Sequence, residues 1–239
     1  MTKEQRGRLV ITADDYGIRE TVPITLELVG QGKIDRVAVL IREVSDGDWQ
    51  KLRATGLPID LHLDLRGLLT SGDEIDEGVF GRLWSFLFRL LAGRLSERRV
   101  EHVWREQIML YRERFGCLPD GLNSHENIHF YPPFCRIMLR LADEYRVRFV
   151  RLGSQALLRG GEKGLVSGIL SLLHGRCRRL FGRGSSQSTI SITSLDWHRH
   201  GFDDIRLPAS GQLEVIVHPE RGEEYQMLQE QLLSRTSDS

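Results

Sequence analysis

Only three cysteines occur in the 239 residues, Cys117, Cys135 and Cys177. The count is odd and no two share a paired spacing. That excludes a disulfide framework as the source of stability and fits a reducing compartment. Neither charge sign is in excess: Lys plus Arg and Asp plus Glu both number 33. A balanced chain offers no electrostatic footprint for nucleic acid. No run of about 18 apolar residues exists, so no membrane-spanning helix is expected. The opening stretch MTKEQRGRLVITADD is too poor in apolar residues for a secretory leader. The cytoplasm is therefore the expected location. There is also no G-x-S-x-G motif and no phosphate-cradling glycine loop, so serine nucleophiles and nucleotide binding lack support.

What is present alternates between strand and helix. RLVITA (8–13) reads as a buried strand, TVPITLELVGQG (21–32) as a helix, and RVAVLI (36–41) as a strand. DGDWQKLRATG (46–56) reads as a helix, and PIDLHLDL (58–65) alternates with period two as a third strand. This βαβαβ rhythm predicts a parallel sheet with helical crossovers. Two helical patterns over 79–115 interrupt it. The rhythm then resumes with a strand at GLNSHENIHF (121–130), a helix over 132–146 and a strand over 147–152. A helix over 162–182, a loop at 183–191, a strand at LEVIVHPE (213–220) and a closing helix over 223–234 complete the chain. The reading is one α/β domain over 1–239. Because strands recur to the end, its expected form is a TIM-barrel-like (β/α) topology rather than an open sheet, with helical insertions around 75–115 and 160–185.

In such folds the reactive groups lie at the carboxyl ends of the strands. The first strand ends on Asp14 and Asp15, adjacent carboxylates that repel unless something positive holds them. In IDLHLDL, Asp60, His62 and Asp64 share one face and three leucines the other, which turns the polar face inward. In NSHENIHF, Asn123, His125, Asn127 and His129 share one parity if the segment is extended. The last strand ends at His218. Taken singly, each has a plain structural explanation: a turn, a helix cap, a hydrogen-bonded core histidine. Polar groups at four strand ends of one fold point instead to a site for zinc or a similar divalent ion, which takes about three protein ligands plus water.

ITADDYG, DLHLDL, NSHENIHFYP and LPASGQLEVIVHP, in that order, resemble the YdjC-like (ChbG/HpnK) family of carbohydrate deacetylases over residues 8 to about 230. The resemblance implies a distorted barrel, one divalent metal ion (magnesium or zinc) and hydrolysis of an N-acetyl group from a sugar. By position, Asp15, His62 and His125 match the metal ligands and Asp14 the general base. His218 matches the late histidine, an acid or transition-state stabiliser. Tyr16, Asp64, Asn127 and His129 are candidates for binding sugar or surrounding the ligands, with a core role for Tyr16 equally open. His129 is also a second candidate proton donor. The family usually carries Asp and His where this chain has Asn123 and Asn127, and Gly where it has Asp60. These departures alter the groups around the ligands, not the ligands.

Two rival readings stay open on the sequence alone. One is a metal-free glycosidase using Asp14 with Asp60 or Asp64. The other is a weakened or non-catalytic sugar- or metal-binding relative. The stretch LVSGILSLLHGRCRRLFGRG (165–184) pairs an apolar front with a basic end, Arg176, Arg178, Arg179 and Arg183. That pattern suits a barrel helix, a homodimer surface or a peripheral contact with an anionic membrane bearing a lipid-linked sugar.

Overall fold

The computed structural model describes residues 1–65, 96–152, 154–155, 175, 177, 179 and 191–235. A short helix α1 (Lys3–Gly7) leads into β1 (Leu9–Tyr16), α2 (Thr21–Gly30), β2 (Arg36–Val39), α3 (Asp46–Arg53) and β3 (Ile59–Leu63). Helix α4 (Glu97–Phe115), β4 (Gly121–Ser124), a 3-10 helix (His125–Phe130) and α5 (Pro132–Tyr145) follow. The chain continues through β5 (Phe149–Val150), β6 (Ser154–Gln155), β7 (Ser191–Ser194), β8 (Leu213–Val217) and α6 (Gly222–Gln231).

All strand pairs are parallel, and the order is β5-β4-β3-β2-β1-β8-β7-β6. First and last strands are therefore neighbours, which is the cyclic order of a barrel. β5 and β6, the two ends of the sheet, are consecutive short pieces of one stretch of chain, the first on β4 and the second on β7. The fold is an α/β distorted barrel, a curled parallel sheet with helices.

The pleat sorts the side chains into two environments. Leu9, Ile11 and Ala13 of β1, Val37 and Val39 of β2, Leu61 and Leu63 of β3, and Val215 and Val217 of β8 are buried in the hydrophobic core. The alternate residues face the inside of the curl, and many of them are polar. Thr12 and Asp14 come from β1, Asp60 and His62 from β3, Asn123 from β4, and Glu214 from β8. Gly121 lies in register with Asp60, and a Cβ there would stand 2.4 Å from Asp60 Oδ1. The inside of the curl is thus charged and the outer face apolar.

Helix α4, the described end of the helical stretch expected over 79–115, joins this core. Ser96 caps its start by accepting the Arg99 N–H, and Gly116 ends it in the left-handed region at φ 67°. Val100, Trp104, Ile108, Tyr111 and Phe115 recur at helical spacing and are buried. The remaining 66–95 and most of 160–185, including Arg176, Arg178 and Arg183, lie outside the described residues; Arg179 is exposed. No described helix is long and apolar enough to cross a membrane.

Two expectations from the sequence need correction. The segment 121–130 is strand only to Ser124 and then turns into the 3-10 helix. The segment 147–152 contributes just two paired residues as β5. Strand β7 was not anticipated, because its Ser-Ile-Thr-Ser carries one apolar residue, and helix α1 was likewise missed.

Candidate metal centre

The end of β1 is irregular in a way that serves its two carboxylates. Between Ala13 and Tyr16 the register with β2 shifts, and Asp15 sits in the left-handed region at φ 61°. In a regular strand Asp14 and Asp15 would point to opposite faces. The irregularity brings both toward His62: Asp14 Oδ2 is 3.9 Å from its Nδ1 and Asp15 Oδ1 3.3 Å from its Nε2. Gly17 follows at φ 123°, where a Cβ would lie 2.8 Å from the Val44 nitrogen. The turn beyond the pair therefore requires glycine.

His62 sits near the end of β3, paired in register with Asn123. Its Nδ1–H donates to Asn123 Oδ1 at 2.5 Å. That bond fixes the tautomer and leaves the Nε2 lone pair facing Asp15. His125, the first residue after β4, places Nδ1 3.0 Å from Asp15 Oδ1. The two imidazole rings stand perpendicular, 5.5 Å apart. One ligand atom from each of Asp15, His62 and His125 lies within 4.8 Å of the others. Two imidazole nitrogens and a carboxylate oxygen converging from three strand ends fit a divalent cation. Burial works against the Asp15 charge, but the adjacent His125 and His62 imidazoles outweigh it and hold the carboxyl far below its usual range.

Asp14 has a different environment. The Arg151 guanidinium, completely buried, donates to both its oxygens at 2.8 Å. Burial alone would raise the Asp14 pKa, yet Arg151 and then His62 lower it, so the group is held ionised beside Asp15. The repulsion between adjacent aspartates is answered from the protein side before any cation is considered.

His218 follows β8. Its Nδ1 lies 3.5 Å from Glu224 Oε1, and its backbone N–H donates to Glu224 Oε2 at 2.8 Å. Burial disfavours the imidazolium, but the Glu224 and Asp14 carboxylates overcome this and raise the His218 pKa. A shift in that direction favours the form of His218 that has a proton to give up.

The other sequence candidates are placed as follows. Tyr16 is buried in the core, and its hydroxyl donates to the Asp48 carbonyl at 2.9 Å, so it does not line a sugar site. His129 turns away because the strand stops at Ser124. Its Nδ1 accepts the Ser124 hydroxyl at 2.6 Å and its Nε2–H donates to the Arg151 carbonyl at 2.6 Å. With both nitrogens engaged it is no proton donor. Asn127 adopts φ 53° within the 3-10 helix. Asp64 is buried beyond β3, where its backbone exchanges two hydrogen bonds with Gln107. Asp60 is wholly buried and bonded to Arg36; burial pushes its carboxyl up to about 6 against the pull of Arg36. A paired-carboxylate glycosidase site on Asp14 and Asp60 therefore lacks support, since each faces an arginine. The sequence reading missed Arg151, Glu214 and Glu224. The inward parity of Glu214 in LEVIV was the available signal for one of them.

The sequence pattern of the family described as YdjC-like protein matches residues 8–237. The chain belongs to the YdjC-like family. Among relatives of this YdjC-like chain is a carbohydrate deacetylase of Mus musculus, 28% identical over 161 residues, or 63% of this chain and 52% of that protein. Another is a chitooligosaccharide deacetylase of Proteus mirabilis, 25% identical over 232 residues, or 88% of this chain and 80% of that protein. The alignment spans about half the length of the mammalian relatives. A crystal structure from Enterococcus faecalis V583, assigned provisionally to cellobiose-phosphate cleavage, superposes with TM-score 0.54 at 16% identity. It covers 88% of this chain and 80% of that one, and supports the YdjC-like fold.

Proposed function

We propose that this chain is a metal-dependent N-deacetylase of N-acetylated sugars, oligosaccharide or lipid-linked, releasing acetate and a free amine. The observation that carries the reading is the convergence of Asp15, His62 and His125 at three strand ends, with Asp14 and His218 beside them. Relatives named carbohydrate deacetylase and chitooligosaccharide deacetylase supply the substrate class.

Asp15, His62 and His125 would hold the cation, magnesium or zinc. When bound, such an ion polarises the acetyl carbonyl and lowers the pKa of water in contact with it. Asp14, kept ionised by Arg151, takes the proton as the water oxygen attacks the carbonyl carbon. A base weakened by an arginine suffices where the water is already acidified. His218, whose protonated form Glu224 and Asp14 favour, delivers a proton to the nitrogen as the C–N bond breaks. Asn123 holds the His62 ring in the orientation that frees Nε2.

Metal content by mass spectrometry tests this, with acetate release from chitin oligosaccharides measured on the same samples. The wild type is expected to hold about one divalent ion per chain; Asp15→Ala and His125→Ala lose both ion and activity. A chain that takes up no zinc, magnesium or manganese overturns the reading. A second reading, a binding protein without turnover, is favoured by Asn123, a neutral amide where a ligating histidine often meets a carboxylate. It predicts the ion without acetate.

A further inference from the structure

We propose that Arg151 is the positioning residue of the reaction, fixing the plane of the Asp14 carboxylate on which proton transfer depends. The inference rests on the reading of Asp14 as general base.

The sequence places Arg151 at the end of VRFVRL, where Arg148 is exposed and Arg151 wholly buried. A guanidinium taken entirely out of water is tolerated only when its donors are satisfied. Here Nη1 and Nη2 donate to the two oxygens of Asp14, each at 2.8 Å, and Nε donates to Glu214 Oε1 at 2.8 Å. The same Glu214 oxygen accepts the Thr12 hydroxyl at 2.9 Å. The backbone is held as well: the Arg151 N–H donates to the Leu122 carbonyl, and its carbonyl accepts from His129 Nε2. β1 and β8 therefore fix the guanidinium, and β4 and the 3-10 helix the backbone that carries it.

The parallel two-point bond to Asp14 constrains a planar carboxylate against rotation, which a single-point ammonium cannot do. The side-chain bonds of Arg151 go to Asp14 and Glu214, and so leave Asp15, His62 and His125 to the cation. It acts through Asp14, at the strand end where Asp14 stands 3.9 Å from His62. His129, a candidate for the chemistry from its sequence spacing, contributes instead by anchoring the Arg151 backbone.

The test compares Arg151→Lys, Asp14→Asn and the double variant on chitin oligosaccharides, with metal content measured on each. Lysine keeps the buried charge and so guards the fold, but it loses the two-point bond. Arg151→Lys is expected to lower kcat about 100-fold, in line with the cost of small misplacements of a reacting group. KM and metal content should stay at wild-type values. The double variant should be no slower than Asp14→Asn, because Arg151 acts through a group already removed. Millimolar guanidinium should restore part of the kcat of Arg151→Ala.

An Arg151→Lys enzyme with wild-type kcat overturns the proposal. So does a double variant in which the two losses multiply, or a loss of metal in step with kcat, which would make Arg151 a support of the cation site. If Asp14→Asn keeps wild-type kcat, the base assignment fails and takes this inference with it, while the metal centre stands. An inactive wild type that still holds its ion would instead defeat the deacetylase reading and, with it, the role given to Arg151.

Discussion

The Asn123 amide shows how a single residue is expected to tune the centre. Its Oδ1 holds His62 Nδ1–H, and its Nδ2 is buried with no hydrogen-bond partner among the described residues. Removing such an orienting group typically weakens metal binding 10- to 100-fold, about 1.4 to 2.7 kcal/mol. Asn123→Ala should show that loss when the ion is titrated against a chromophoric chelator, with His62 itself untouched. Unchanged affinity would mean that packing alone orients the ring. Asp60 carries a second prediction at the same scale. Its carboxyl titrates at about 6 in the folded chain, against an ordinary value of 3.8. Between those values the folded state binds more protons than the unfolded one, so stability falls as pH rises through the window and levels off above it. A shift of this size corresponds to about 3 kcal/mol. Urea unfolding at about pH 4.5 and pH 7.5 should show wild type losing more than Asp60→Asn. Parallel losses would place the titration elsewhere.

The 3-10 helix His125–Phe130 is the element that converts a strand end into a site. It forms because Ser124 takes the His129 N–H on its hydroxyl oxygen at 3.1 Å and gives its proton to His129 Nδ1. His129→Ala should break this lock, leaving the Ser124 hydroxyl and the Arg151 carbonyl without their ring partner in the core. Loss of two buried hydrogen bonds and a ring volume suggests about 2–4 kcal/mol. It should appear in urea unfolding together with weaker metal binding, although His129 touches no ligand. Weakened metal binding without loss of stability would contradict this account. The same element marks what the sequence could show. The period-two faces of β3 gave the shared inward placement of Asp60 and His62; Asp64 lies beyond the strand, its backbone bonded to Gln107. The parity of NSHENIHF did not carry over, because a side-chain lock and a left-handed Asn127 end the strand early. Arg151 was hidden for a related reason. An arginine in a short apolar strand reads as solvent-exposed until the partners on β1 and β8 are known. Long-range pairings of that kind leave no local signal.

At the scale of the whole molecule, the proposed ligands are separated by long stretches of chain but lie on neighbouring parts of one curled sheet. β1 supplies Asp15, β3 supplies His62, and the end of β4 supplies His125. None of these is close to another in an unfolded chain, so a cation held by all three binds the folded state and hardly at all the unfolded one. Binding of that kind stabilises by mass action, about 2.7 kcal/mol when the free ion is at 100 times its Kd. In a chain of this length a kcal/mol moves Tm by roughly 2–4 °C. Stripping the ion with a chelator should therefore lower Tm by about 5–10 °C. Adding back zinc or magnesium should restore it, and the more effective ion indicates which one the site prefers. Asp15→Ala is the control that gives the shift its meaning. Its Tm should respond little to chelator or ion, because the bridging carboxylate between His62 and His125 is gone. If Asp15→Ala responds as fully as the wild type, the stabilising ion sits elsewhere in the molecule, and the paired aspartates at the end of β1 serve the fold rather than a metal.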